Sequence, residues 1–151
     1  MQLLWRSARV LLGLLLRRPI VGACVIPILP DGTVVLIRRR DSGLWGLPGG
    51  IVDWGEDIPT AAKRELAEET GLTVERIGRL VGVYSQPQRD SRFHSVCVVM
   101  EAHVTGIPVV HDPAEVTAVR AFALDAIEDV AFDQDHARHL QDYLANKTVL
   151  A

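Results

Sequence analysis

The chain is poor in cysteine, with Cys24 and Cys97 the two in 151 residues. Each stands alone within an apolar run, without the paired Cys/His spacing of a zinc site or the density of a disulfide framework. A metal- or disulfide-stapled scaffold is therefore excluded, and buried, reduced thiols in a cytoplasmic protein are expected. An excess of positive charge is also missing. Sixteen Lys and Arg face nineteen Asp and Glu, for a net charge of −3. No overall positive field exists to hold a nucleic-acid backbone non-specifically, so no nucleic-acid partner is expected. A polyanionic ligand would need a local basic patch or metal ions. Repeats, low-complexity stretches and Ser/Gly linkers are absent. The length and a hydrophobic content of 48% suit a single compact core.

A long apolar run is lacking too. Val10-Leu11-Leu12-Gly13-Leu14-Leu15-Leu16 is stopped by Arg17-Arg18-Pro19, well short of the roughly 20 apolar residues of a membrane-spanning helix. No small-residue cleavage site follows before the next strand-like segment, so a signal peptide is not expected. The segment predicts a short apolar helix over residues 1–18, with Trp5 and the leucines on its apolar side. Packing on a core edge or a homodimer contact is its first expected role, and contact with a membrane surface its second. The remaining domain is expected over residues 19–151.

Val21 to Leu29 is β-rich and is followed by the turn signal Pro30-Asp31-Gly32 and by Thr33 to Arg38, a predicted hairpin. Asp41 to Gly50, rich in glycine and holding Pro48, suits a loop whose backbone approaches something closely. Pro59 to Thr70 reads as a helix, with Asp57 as its cap and Gly71 as its left-handed stop. Leu72 to Tyr84, Phe93 to Val104 and Val116 to Leu124 are predicted strands. Asp133 to Lys147 predicts a closing amphipathic helix with Ala137, Leu140, Tyr143 and Leu144 on its apolar stripe. Such elements point to an α/β (α+β) sandwich, because each helix needs a sheet face to cover its one apolar stripe.

The most informative segment runs from Gly50 to Leu72. On a helix, Glu65, Glu68 and Glu69 sit at offsets 0, 3 and 4 and share one face. Each like-charged pair costs a few tenths of a kcal/mol, a cost that a hard divalent cation such as Mg²⁺ removes. The opposite side carries Ala61 or Thr70, Ala62 and Leu66, which suit packing on a sheet. Arg64 stands where it can orient a carboxylate, and the preceding glycine-rich loop can add backbone carbonyls to a metal shell.

This segment resembles the Nudix box, G-x5-E-x7-R-E-U-x-E-E-x-G-U with U a bulky apolar residue. All nine fixed positions are matched, by Gly50, Glu56, Arg64, Glu65, Leu66, Glu68, Glu69, Gly71 and Leu72. Leu44-Trp45-Gly46-Leu47-Pro48-Gly49 resembles the usual lead-in. The resemblance implies a Nudix-type α/β/α sandwich with a mixed sheet, and hydrolysis of a phosphoanhydride assisted by Mg²⁺ or Mn²⁺. It also implies Glu68, Glu69 and the Gly50 carbonyl as metal ligands, Glu65 as ligand or base, and Glu56 and Arg64 as supports. Because the general base varies in this family, Glu115, at the mouth of a predicted strand, is a further catalytic candidate. Tyr84 to Val96 resembles a P-x-R-D-x-R-x-H-x-V signature of small ADP-ribose pyrophosphatases. Arg89 and Arg92 are thus expected to fork onto phosphate or ribose, and Tyr84 or Phe93 to stack on a base. Against this stands a purely polar loop with Arg89 paired to Asp90, and His94 as a packed strand residue. ADP-ribose is the expected substrate. Nucleoside triphosphates, nucleotide sugars, dinucleotides and a non-catalytic ligand-binding module are the alternatives.

Overall fold

The computed structural model describes residues 18–151, so the expected helix over residues 1–18 lies, but for Arg18, outside the described residues. The sheet begins with β1 (Ile20–Ile28) and β2 (Val34–Arg39), the predicted hairpin, paired antiparallel with Ile28 opposite Val34. Two short strands follow, β3 (Trp45–Gly46) and β4 (Gly49–Ile51), then helix α1 (Ile58–Thr70). The chain continues through β5 (Thr73–Tyr84), β6 (Ser95–Thr105) and β7 (Val116–Phe122). A 3₁₀ turn over Leu124–Asp129, helix α2 (His136–Leu144) and β8 (Val149–Leu150) complete it. The mixed sheet has the order β3-β2-β1-β6-β5-β8, with β4 on β1 and β7 on β2. β1 and β6 run parallel, as do β5 and β8, and the other pairs are antiparallel.

Both faces of the sheet are covered, which is why β1 and β2 read as continuous apolar runs. Successive side chains alternate between the faces. Ala23 and Val25 of β1, with Met100 and Ala102 of β6, pack against Ala61, Ala62 and Leu66 of α1. Cys24 and Ile26, with Cys97 and Val99, pack on the opposite face with Leu140 of α2. The architecture is therefore the expected three-layer α/β/α sandwich.

Helix α1 begins where the sequence places it. Asp57 is extended, and its carboxylate accepts the Thr60 N–H at 2.8 Å. Gly71 closes the helix at φ 69°, donating its N–H to the Ala67 carbonyl. Helix α2 departs from expectation. Its buried residues are His136, His139 and Leu140, while Leu144 is 46% exposed, so the covered stripe is rotated from Ala137, Leu140, Tyr143 and Leu144. The histidines are drawn inward because Tyr84 stacks on His139 at 4.0 Å and His136 accepts the Leu47 N–H at 2.7 Å.

Candidate active site

α1 and the β3–β4 loop build the site between them. Four residues of α1, Ala61, Ala62, Leu66 and Thr70, are buried against the sheet, which leaves Glu65, Glu68 and Glu69 on the side nearer the glycine loop. Their environments differ. Glu69 is 4% exposed, and its carboxylate accepts the Gly49 N–H at 2.9 Å. The Glu65 side chain is largely covered, whereas that of Glu68 is 57% exposed. Glu65 presses so closely on Gly50 that a β-carbon there would collide with its carboxylate, and one on Gly49 would strike the Ala23 carbonyl. Glycine is needed at both positions for close approach. Gly50→Ala is therefore expected to push Glu65 aside and weaken Mg²⁺ binding about tenfold or more, the loss typical when groups that orient metal ligands are disturbed. Calorimetric Mg²⁺ titration checks it, and unchanged affinity contradicts it.

Arg64 holds this geometry. Its guanidinium makes a fork to Glu56, with Nε and one terminal nitrogen each 3.0 Å from a carboxylate oxygen. It also donates to Glu65 at 2.8 Å and to the Ile51 carbonyl at 3.1 Å. The contact with Glu68 is longer, at 3.4 Å. One planar donor set thus ties the loop before α1 to the metal-ligand candidate Glu65. Arg64 orients the Glu65 side chain, with Glu56 holding the guanidinium from the other side.

Burial pushes the Glu69 carboxyl up to about 8, reinforced by the charges of Glu65 and Glu115 and opposed by the Gly49 N–H and Arg39. Burial raises Glu65 as well, against its hydrogen bond with Arg64. Two crowded carboxyls beside a carbonyl-bearing glycine loop form an oxygen-donor set that fits a hard divalent cation, because the ion's charge would offset the repulsion.

The same environment sets a pH dependence. A carboxyl raised from 4.5 to about 8 keeps a proton in the fold that the unfolded chain has released, so stability falls as pH rises through that window. His136 acts oppositely. Burial, then His139, lowers it from 6.5 to about 3, so the unfolded chain takes up the extra proton and stability falls as pH drops from 6.5 to about 3. The two effects compete below pH 6.5, and above it the carboxyl is opposed by the Cys97 thiol, which its contact with Cys24 holds below the usual value. The metal-free protein should lose at most about 2 kcal/mol between pH 6.5 and 8, and Mg²⁺ should restore most of it. Urea midpoints at the two pH values, with chelator and with Mg²⁺, measure this. A metal-free protein that gains stability over the interval contradicts it.

A cavity of about 370 Å³ opens beside the carboxylates, with Gly50, Glu65, Arg92, Phe93, Gln134 and Glu115 among its walls. The residues expected to bind substrate divide here. Arg92 is half exposed, pairs with Asp90 at 2.9 Å and lies 5.3 Å from the Phe93 ring centre. Arg89 also reaches the cavity but is nearly buried, forked onto Asp135 at 2.8 and 3.0 Å and hydrogen-bonded to Ser95. It braces the cavity floor. The expected base-stacking role of Tyr84 is corrected, because the residue is 1% exposed in the core and its hydroxyl donates to Asp142 at 3.0 Å. Phe93, 37% exposed, is the aromatic ring on the cavity wall. His94 is exposed rather than packed, with a ring nitrogen 3.0 Å from the Ser85 carbonyl.

Several contributors escaped sequence reasoning. Arg39 lines this cavity while bound to Asp41 and Asp133. Gln134, at φ 49°, donates to Asp90 at 3.2 Å. A signal for α2 did exist in the three-residue spacing of His136 and His139. Asp135, His136 and His139 lie close enough together to suggest a metal site, but their chemistry does not fit one. Arg89 occupies both Asp135 oxygens, and Nδ1 of His136 is taken by the Leu47 N–H. His139 Nε2 stands 3.2 Å from Asp135 without the alignment of a hydrogen bond. The arginine's positive charge opposes a cation there.

Comparison with known proteins agrees with the glutamate helix. The NUDIX domain model matches residues 18–143. The chain is 36% identical over 119 residues to an ADP-ribose pyrophosphatase of Methanocaldococcus jannaschii, covering 76% of this chain and 67% of that protein. It is 41% identical over 73 residues to a putative 8-oxo-dGTP diphosphatase of Bacillus subtilis, covering 48% of each. In structure it resembles a MutT NUDIX hydrolase from Burkholderia pseudomallei, with a TM-score of 0.72, 35% identity and coverage of 83% of this chain and 98% of that one. With every fixed position of the box in place on α1 and its loop, the chain belongs to the NUDIX family and is a Nudix hydrolase acting on phosphoanhydride bonds.

Proposed function

We propose that the protein cleaves the pyrophosphate bond of a nucleoside diphosphate linked to a further group X, with ADP-ribose the favoured substrate and AMP and ribose 5-phosphate the products. The convergence of buried Glu69 and half-buried Glu65 on the Gly49–Gly50 backbone, with Glu65 and that backbone lining a cavity that also presents Arg92 and Phe93, carries this reading. The resemblance to the M. jannaschii ADP-ribose pyrophosphatase supports it. Mg²⁺, with Mn²⁺ as a substitute, would be held by Glu65, Glu68, Glu69 and the Gly50 carbonyl. When bound, the ion neutralises charge developing on the phosphates and lowers the pKa of a coordinated water.

The chain's own residues do the rest. Arg64 fixes the orientation of Glu65. Glu115 lines the cavity with Glu65 and is the group proposed to accept the proton of the attacking water at its carboxylate. Arg92 offers charge-assisted hydrogen bonds to a phosphate or ribose, and Phe93 a face for the base. Two free, buried cysteines suit a reducing cytoplasmic setting. No helix among the described residues is long and apolar enough to cross a membrane. A homodimer or membrane-surface contact through residues 1–18 remains a separate proposal, tested by sizing and liposome flotation with and without that segment.

The likeness to the B. subtilis protein favours nucleoside triphosphates as a second reading. Relative kcat/KM for ADP-ribose, nucleotide sugars, dinucleotides and triphosphates, measured with Mg²⁺, decides between them. Preference for ADP-ribose supports the first reading. Activity on triphosphates alone replaces it.

A further inference from the structure

A second cavity, of about 380 Å³, lies against the same carboxylates. It shares Arg39 and Glu115 with the first, which reaches Glu65, whereas the second reaches Glu69. The candidate metal ligands therefore stand where the two spaces meet. Their linings differ in chemistry. The first has the Phe93 ring, apolar Ile20 and Leu47 and the two thiols, together with charged Arg89, Arg92, Glu65 and Asp90. The second has Arg39 and Arg40 with Asp41, Glu69 and Glu115 around Ile37 and the small Ala114, and no aromatic side chain. An aromatic ring suits a nucleobase, whereas a guanidinium with open donors among carboxylates suits the phosphate and the hydroxyls of a sugar phosphate.

The two arginines of the second cavity are not equivalent. Arg39 is committed to Asp41 at 2.8 Å and to Asp133 at 3.0 Å. Arg40 makes no ion pair among the described residues. Its Nε donates to the Pro113 carbonyl at 2.8 Å, and its backbone N–H donates to the Glu115 carbonyl at 2.8 Å. The two terminal nitrogens of its guanidinium have no hydrogen-bond partner among the described residues. One edge of the fork is thus fixed to the loop before β7 while the other is open, and a guanidinium oriented in advance loses less entropy on taking up a phosphate.

We propose that the cavity beside Arg40 is the receptor for the phosphorylated-sugar half of the substrate, the half remote from the nucleobase, with the Arg40 guanidinium as its phosphate-binding group. The proposal rests on the reading of the substrate as a nucleoside diphosphate linked to X. With the nucleoside in the Phe93 cavity and the sugar phosphate beside Arg40, the scissile bond falls at the boundary that Glu65, Glu69 and Glu115 line. The volume lies within the range of small-molecule sites. Arg40 also joins two tasks, because the loop that orients its Nε carries Glu115.

Calorimetric titration of ribose 5-phosphate and of AMP into the Mg²⁺-saturated protein tests this, comparing wild type with Arg40→Ala and Arg40→Lys. Ribose 5-phosphate should bind about tenfold or more weakly to Arg40→Ala, the loss expected for a charged hydrogen-bonding group. Arg40→Lys should recover part of that loss, and AMP affinity should stay the same. Equal ribose 5-phosphate affinity in wild type and Arg40→Ala overturns the proposal. So does equal weakening of AMP, or no ribose 5-phosphate binding to wild type. Because the side chain is exposed, the fold should survive the change. If Arg40→Ala does not fold, Arg40→Gln takes its place in the same comparison. ADP-ribose turnover by wild type is scored separately. Its absence alongside Arg40-dependent binding removes the substrate reading alone, and its presence without that dependence removes the site alone.

Discussion

Glu69→Gln is expected to cut metal-dependent turnover by about 10²-fold or more, since even groups that only orient metal ligands are worth 10- to 100-fold. The same change should make the metal-free protein more stable at pH 8. Both effects have one cause. Glu69 is 4% exposed and its carboxyl is pushed up to about 8, so at alkaline pH the fold bears the cost of a buried charge that a neutral amide does not impose. Gln keeps an acceptor for the Gly49 N–H, which now bonds to the Glu69 carboxylate at 2.9 Å, and the loop should hold its shape. What is lost is the anionic donor a cation needs. A metal-ligand role for Glu69 would place activity on a locally unfavourable group, a trade seen where function and stability compete. Turnover at saturating Mg²⁺ and the urea midpoint with chelator at pH 8 read the two effects. Turnover within a few-fold of wild type removes Glu69 from the metal site.

Glu115→Gln should lower turnover by ~10²-fold or more through the loss of a general base, but should leave Mg²⁺ affinity within a few-fold. The distinction follows from position. Glu115 is exposed on the loop before β7, whereas Glu65 and Glu69 project from α1 toward the glycine loop. Its charge nonetheless reaches both of them, and it lines both cavities. Unchanged turnover removes Glu115 from the mechanism. Loss of Mg²⁺ affinity in parallel with turnover reassigns it as a ligand.

Helix α1 was legible almost to the residue, because its cap, its proline, its buried small side chains and its left-handed glycine are local signals that packing only reinforces. The sandwich was legible because each helix needs a sheet face for its one apolar stripe, and its three layers followed from the resemblance to the Nudix box. Strands β3, β4 and β8 were not. They are two or three residues long and exist through partners distant in sequence, such as Gly50 opposite Ala23.

Side-chain direction near irregularities was equally hidden. The β5–β6 pairing shifts register at several points along β5, so simple alternation cannot be counted as far as Tyr84, and that ring turns into the core. The pairing of β2 with β7 shifts between Arg38 and Arg39, which leaves three consecutive arginines with three different surroundings. Arg92 with Asp90 is a near-neighbour pair of the sort a sequence suggests. Arg89 with Asp135 spans 46 residues, and only the fold brings it together. Polar character led the reading of α2 astray as well, because a histidine that stacks on Tyr84 is buried whatever its place on a hydropathy scale.

Metal-dependent cleavage is read most directly by incubating the purified protein with ADP-ribose and Mg²⁺, separating the products, and repeating the reaction with chelator. AMP and ribose 5-phosphate are expected in equal amounts, formed with metal and suppressed without it. Intact ADP-ribose under conditions where calorimetry shows Mg²⁺ bound at the glutamate helix would contradict such cleavage.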